Sequence, residues 1–217
     1  MKIDQDSYIT LAGWLLLNCA VIGVVLWLIP SMWVRAGAAL LIAYVSVVEV
    51  LFFRVPERQC PGTDTIVSAV ADGKIVIVEK VYEKEYLKCE CIQVSTYMDF
   101  FDVHANFWPV DGTVSYYKYH PGKYLLAFLP KSSELNEHAS TAIRTNGGRE
   151  VFFKQIAGTF ARRIVCRAEE GLETKAGEQL GIIKFGSRLD IFLPLDADIK
   201  VKVGDQVKAC ETVIANL

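Results

Sequence analysis

A glycine followed by a serine, Gly186-Ser187, interrupts the apolar stretch Leu180-Gly-Ile-Ile-Lys-Phe-Gly-Ser-Arg-Leu-Asp-Ile-Phe-Leu-Pro194. A serine held against a strained peptide on a rigid β frame can attack that peptide, and the glycine permits backbone conformations barred to other residues. An ordinary turn between two strands uses the same dipeptide, so other groups must decide between the two. Hydroxyl attack needs a base, and the chain holds three histidines. His104 lies in Met98-Asp-Phe-Phe-Asp-Val-His-Ala-Asn-Phe-Trp-Pro-Val-Asp-Gly112, between Asp102 and Asn106. An imidazole oriented by a carboxylate is a general base near neutral pH, although a lone histidine in an apolar run is more often a satisfied core residue. Asp72-Gly73 is a turn dipeptide whose carboxylate is free to reach a histidine distant in sequence. Ser187, His104 and Asp72 are therefore residue types suited to nucleophile, base and orienting group. They stand far apart in the chain, so only the fold can assemble them. His120, before Pro121-Gly122, reads as a solvated turn residue, and His138 in Ser132-Ser-Glu-Leu-Asn-Glu-His138 as a surface residue or a pocket wall.

The elements that must position these groups fall into two parts. Between Ser7 and Phe53 the only charges are Arg35 and Glu49, and Pro30-Ser31 breaks the run. Two helices of about 20 residues, each spanning roughly 30 Å, fit such a pattern and form an antiparallel hairpin. The stretch is too long for a signal peptide. Lys2 precedes the first helix and Arg54 and Arg58 follow the second, which puts both ends in the cytoplasm by the positive-inside tendency. Residues 1–54 are thus expected to be a transmembrane or membrane-embedded hairpin, residues 55–65 (two prolines and a glycine among them) a linker, and residues 66–217 the body. In the body, short β-type runs alternate with Gly-rich turns such as Asp72-Gly73 and Asn146-Gly147-Gly148. The fold class expected is mainly β, a barrel- or sandwich-like body behind an α-helical hairpin. Residues 157–163 read as a short helix.

Composition narrows the function. A chain of 217 residues with net charge −2 gives no pull toward nucleic acid. The six cysteines include no C-x-x-C pair, so no metal site is expected and reduced thiols are the default. Arg144, Arg149, Lys154, Arg162 and Arg163 make the middle of the body basic, either as a solvated face or as an attraction to anionic headgroups.

Several segments together resemble the short form of phosphatidylserine decarboxylase over nearly the whole chain. They are Phe52-Phe53-Arg54-Val-Pro56, Ala69-Val-Ala-Asp-Gly-Lys-Ile75, Asp102-Val-His-Ala-Asn106 with Pro109-Val-Asp-Gly112, and Leu129-Pro-Lys-Ser-Ser133 with Asn136-Glu137. Gln155-Ile-Ala-Gly158 with Ala161-Arg-Arg-Ile164 follows, and then Gly181-Ile-Ile-Lys-Phe-Gly-Ser-Arg-Leu-Asp190, the most specific of the set. The resemblance implies a zymogen of phospholipid biosynthesis that cuts itself. Ser187 attacks the Gly186 carbonyl, the ester eliminates, and hydrolysis leaves a pyruvoyl group at the head of a small chain, with residues 1–186 as the large chain. That covalent pyruvate takes up the serine headgroup amine and withdraws electrons as carbon dioxide leaves, converting phosphatidylserine to phosphatidylethanolamine. The implied catalytic residues are Ser187, His104 and Asp72, the cleavage site is Gly186-Ser187, and the substrate pocket takes Asn136, Glu137 and His138. Implied partners are phosphatidylserine, membrane lipids and the two chains of one precursor at the cell membrane, the body on the cytoplasmic side; a homo-oligomer stays open.

The chain departs from the pattern twice. Phe107 stands where longer members carry a second histidine, and Leu135-Asn-Glu-His138 stands where short relatives usually read Glu-Asn-Glu-Arg. The competing reading is a membrane-tethered β-barrel binding or adaptor module without catalysis, in which Gly186-Ser187 is inert and the chain stays whole. A pyruvoyl enzyme for a soluble amino acid is a further alternative, and the hairpin argues against it.

Overall fold

The computed structural model describes residues 2–123, 135–158, 163–184 and 187–217. These form two compact units, Met1–Glu57 and Arg58–Leu217. The first unit opens with strand β1 (Lys2–Ile3) and closes with β2 (Arg54–Val55), which pair with each other. Between them run helices α1 (Tyr8–Leu28) and α2 (Met32–Phe52). Both are long and apolar enough to cross a bilayer. Pro30 separates them, as expected of a residue that interrupts a helix. Across the pair, Asn18 donates from Nδ2 to Ser46 Oγ at 3.0 Å and to Glu49 Oε2 at 2.9 Å, so these polar groups of the two helices meet each other.

The second unit is mainly β in its described residues, in line with the expected class. Its strands are β3 (Ile66–Ser68), β4 (Gly73–Glu83), β5 (Cys89–Met98), β6 (Ala105–Phe107), β7 (Gly112–His120), β8 (His138–Arg144) and β9 (Glu150–Ala157). There follow β10 (Arg163–Cys166), β11 (Glu173–Thr174), β12 (Gln179–Lys184), β13 (Ser187–Leu193), β14 (Asp198–Ile199), β15 (Gln206–Val207) and β16 (Val213–Asn216). Eight strands in the order β11-β7-β8-β9-β13-β5-β4-β15 curl into a half-barrel, antiparallel throughout. Two three-stranded sheets, β10-β12-β6 and β14-β16-β3, complete the unit. The hairpin expected around Asn146-Gly147-Gly148 is β8–β9, in register from His138↔Ile156 to Arg144↔Glu150. The helix expected over 157–163 does not start or finish as one. Ala157 ends β9 and Arg163 begins β10, because both belong to ladders that continue the flanking strands; residues 159–162 are outside the described residues.

Period-two alternation sorts each strand's side chains between two environments. On β13, Leu189, Ile191 and Leu193 enter the main core with Val94, Ile143, Val151 and Phe153. Arg188, Asp190 and Phe192 take the other face, where Phe192 packs on Phe152, Cys91 and Ala142. That second face carries buried polar groups, and it becomes important below.

Candidate active site

The two strands on either side of the Gly-Ser break do not pair with each other. β12 lies between β10 and β6, with Ile182↔Ala105 and Ile183 N–H donating to the His104 carbonyl at 3.2 Å. β13 lies in the eight-stranded sheet between β5 and β9, and its first residue, Ser187, is in register with Met98 and Ala157. The chain is therefore in one sheet at Lys184 and in another at Ser187. Phe185, Gly186 and the Ser187 side chain are outside the described residues, as are Leu129–Ser133 and Ala161-Arg162.

One short segment spans this junction from beside. Met98 is opposite Ser187, a turn follows in which Asp102 N–H bonds Asp99 O at 3.0 Å, and His104 then lies opposite Ile183. The imidazole of His104 is fully buried. Its Nδ1 is 3.0 Å from the Asp102 carbonyl oxygen. A carbonyl only accepts, so Nδ1 carries the hydrogen and Nε2 of the neutral ring carries the lone pair, the tautomer a base needs. The group hydrogen-bonded to Nδ1 is thus a backbone carbonyl, while the carboxylate of Asp72, the orienting group expected from the sequence, holds Arg58 and the Ala209 amide. The Asp102 carboxylate accepts the Asp99 amide at 2.8 Å and caps the turn. Asn106 accepts from Gln155 Nε2 at 2.8 Å.

Asp72 sits two residues before Lys74, which pairs with Tyr97, the neighbour of Met98. It is therefore at the same end of the sheet as Ser187, two strands or about 10 Å across. Its carboxylate grips Arg58 through both oxygens and accepts the Ala209 amide at 2.9 Å. The carboxylate contacts raise the Arg58 pKa against the opposing effect of burial. Arg58, which composition places in a linker, thus ties that segment to the C-terminal strands.

The residues expected to line a substrate pocket divide. Asn136 donates from Nδ2 to the Ala157 carbonyl at 2.7 Å. The Glu137 carbonyl accepts the Ala157 amide at 2.9 Å, and its carboxylate accepts the Ile164 amide at 3.3 Å. Both brace the residue opposite Ser187. His138 instead lines a cavity of about 630 Å³ on the second face of the sheet.

A model of the phosphatidylserine decarboxylase family matches residues 48–215. This chain belongs to the phosphatidylserine decarboxylase family. Curated relatives bearing the name phosphatidylserine decarboxylase proenzyme agree. That of Amoebophilus asiaticus is 48% identical over 76% of this chain and 74% of its own. That of Bacteroides fragilis is 48% identical over 82% and 80%, and that of Cytophaga hutchinsonii 44% identical over 79% and 78%. The non-catalytic module is accordingly not favoured, and the carboxy-lyase family read from the motifs is the chain's own.

Within the decarboxylase body, one group next to the junction escaped the reading of the sequence. Arg188 is almost completely buried, and its guanidinium donates to Asp190 at 2.6 and 3.2 Å and to Ser95 at 3.0 Å. A buried charge must be paired, and this pair fixes the strand immediately after Ser187. The signal was present as Arg and Asp at i and i+2 in an apolar run, which places both on one face.

Proposed function

We propose that the chain is a proenzyme that cuts itself between Gly186 and Ser187 and then, with the pyruvoyl group so formed, converts phosphatidylserine to phosphatidylethanolamine at the cytoplasmic face of a membrane. The observation that carries the reading is family membership over residues 48–215, which takes in the Gly186-Ser187 break. The break's position between two separately anchored sheets supports it.

Ser187 Oγ attacks the Gly186 carbonyl carbon, and the peptide C–N bond breaks as the ester C–O bond forms. His104 Nε2 takes the hydroxyl proton and returns it to the departing nitrogen. Removal of the Ser187 α-proton expels the Gly186 carboxylate, and water replaces the nitrogen, which leaves as ammonia. The pyruvoyl group, made from Ser187 itself, supplies the electron sink for decarboxylation. Around it the chain's own residues hold position. Arg188–Asp190–Ser95 fix the outgoing strand, Asn136 and Glu137 hold Ala157 on one side, and the segment from Met98 to His104 runs along the other. Asp72 serves through Arg58, keeping the neighbouring strand end in place. The helical pair of residues 8–52 brings the body to its lipid substrate, and Arg54 and Arg58 favour the cytoplasmic side.

Intact-mass measurement of the purified protein tests this. Wild type is expected as two chains, with the small one starting at a pyruvoyl group and refractory to Edman sequencing. Ser187→Ala should give one uncut chain with no decarboxylase activity. A single uncut wild-type chain that decarboxylates phosphatidylserine would sink the mechanism.

A further inference from the structure

The cavity on the second face holds a group of side chains that the decarboxylation does not use. Glu85, from the turn after β4, His120 at the end of β7 and His138 at the start of β8 converge there. One ligand-type atom from each lies within 4.8 Å of the others. We propose that these three residues form a binding site for a divalent transition-metal ion of the zinc class, held by Glu85 Oε1, His120 Nε2 and His138 Nε2.

The hydrogen bonds prepare two of the three groups as ligands, and the third, His120, donates its Nε2 hydrogen to Glu85 Oε1 at 2.6 Å and releases it as a proton when the ion takes its place. His138 Nδ1 lies 2.7 Å from the Asn136 carbonyl, so Nδ1 carries the hydrogen and Nε2 presents its lone pair. A ligating histidine fixed in this way by a backbone carbonyl is the usual outer-shell arrangement. Glu85 is divided between two tasks. Its Oε2 accepts from Lys154 at 2.7 Å and Ser140 at 3.0 Å, while Oε1 faces His120 Nε2 at 2.6 Å and the Tyr116 hydroxyl at 3.2 Å. One oxygen is thereby anchored and the other directed at the imidazoles. The two rings stack at 4.4 Å between centroids and 16° between planes, so each limits how far the other can turn.

Acidic and basic groups balance around the three residues. Burial alone raises the Glu85 carboxyl, but the Lys154 ammonium and the hydrogen bonds from His120 and Ser140 outweigh it and hold the group at about 2. Burial, with His120 and Lys154 nearby, lowers the His138 pKa. Glu79 and Glu83 add negative charge to the cavity wall, against Lys84, Lys154 and Arg188.

Two imidazoles and a carboxylate select a borderline ion over magnesium or calcium, which prefer all-oxygen shells. Bonds of about 2.0–2.1 Å to a tetrahedral ion need ligand atoms about 3.3 Å apart, so the Glu85–His120 pair, now at 2.6 Å, has to open by roughly 0.7 Å, and separations of up to 4.8 Å have to close by as much as about 1.5 Å. Three protein ligands leave a fourth position, and the cavity offers room there for water or an anionic oxygen. The absence of C-x-x-C pairs has no bearing on this cluster, whose members come from three separate turns and strand ends.

Metal uptake by the full-length protein, purified in detergent without a histidine tag and stripped with chelator, tests the proposal. Titration with Co²⁺ should give one ion per chain with the intense visible absorption of a tetrahedral site, displaced by Zn²⁺. His120→Gln and His138→Gln should each bind at least about tenfold more weakly. X-ray absorption on the zinc-loaded wild type needs no variant to fold, and should report nitrogen and oxygen neighbours only. Failure to take up one ion per chain would overturn the proposal. So would equal uptake by the folded double variant, or a sulfur neighbour at about 2.3 Å, which would place the ion on cysteines.

Discussion

In the helical unit the large apolar side chains face outward, and in the β unit they face inward. Ile9, Trp27 and Trp33 are 90%, 81% and 83% exposed, whereas Phe152, Phe153, Ile143 and Leu189 have no accessible surface. Polar groups invert in the same sense. In the hairpin Asn18, Ser46 and Glu49 gather between the helices, and in the body charged groups lie on the surface except where a partner permits burial, as for Arg188 with Asp190. A helix satisfies its own backbone hydrogen bonds and tolerates an apolar surround, whereas strands must find partners and a shared core. The two units thus expose opposite kinds of surface.

The comparison breaks most visibly on removal of one unit. Deleting residues 1–54 should transfer the body from the membrane fraction to the soluble fraction, as read by sedimentation and immunoblotting. Full-length protein that stays soluble without detergent or lipid would show that the outward-facing residues are not an anchor. Next in size is His104→Ala. A general base contributes about 10²–10⁴-fold, so self-cleavage or turnover, followed by gel and by product release, should slow on that scale while membrane partition stays unchanged. Near-normal rates in both steps would return His104 to the core. An effect on one step alone would assign it one role.

A smaller contrast comes from glycines. At Gly181 an added Cβ meets the Val165 carbonyl oxygen at 1.9 Å, so β12 has to move away from β10. Gly181→Ala should destabilise the body by about 1–3 kcal/mol and retard cleavage at the junction that β12 feeds. Gly23→Ala meets nothing within 4 Å and should alter stability, measured by thermal unfolding in detergent, by no more than about 0.5 kcal/mol. Equal effects would mean that the hairpin is packed as tightly as the body.

The smallest effect is in thiol chemistry. Burial, helped by nearby Cys60, pushes Cys210 up to about 12 from its ordinary 9.0, and burial pushes Cys91 to about 11. At pH 8 a water-soluble maleimide, read by mass spectrometry, should label exposed Cys89 and leave Cys91 and Cys210. Cys19, exposed on α1, should need a lipid-soluble reagent. Because the folded state holds the Cys210 proton more firmly, it binds more protons than the unfolded chain between pH 9 and 12. This contribution to stability is therefore present below 9 and lost as the pH rises. Rapid labelling of Cys210 at pH 8 without unfolding would contradict its burial.

The sequence by itself determined whatever a few adjacent residues encode. The charge-free runs set the two helices, Asn146-Gly147-Gly148 set the β8–β9 turn, and alternation set the inward face of β13. The linked motifs, read in order, were enough for the family. The tertiary structure alone decided the pairings. The strands flanking Gly186-Ser187 enter different sheets, so the break is a bridge between sheets and not a hairpin turn. Asp72 takes Arg58 from a segment that composition marks as linker, and His104 takes a carbonyl in place of a carboxylate. Glu85, His120 and His138 meet because β7 and β8 pair with His120 opposite His138 and the turn after β4 reaches them. Turn chemistry and periodicity act over a few residues and remain visible in one dimension. Strand partnership depends on which surfaces bury one another across long loops, a choice that no local spacing records.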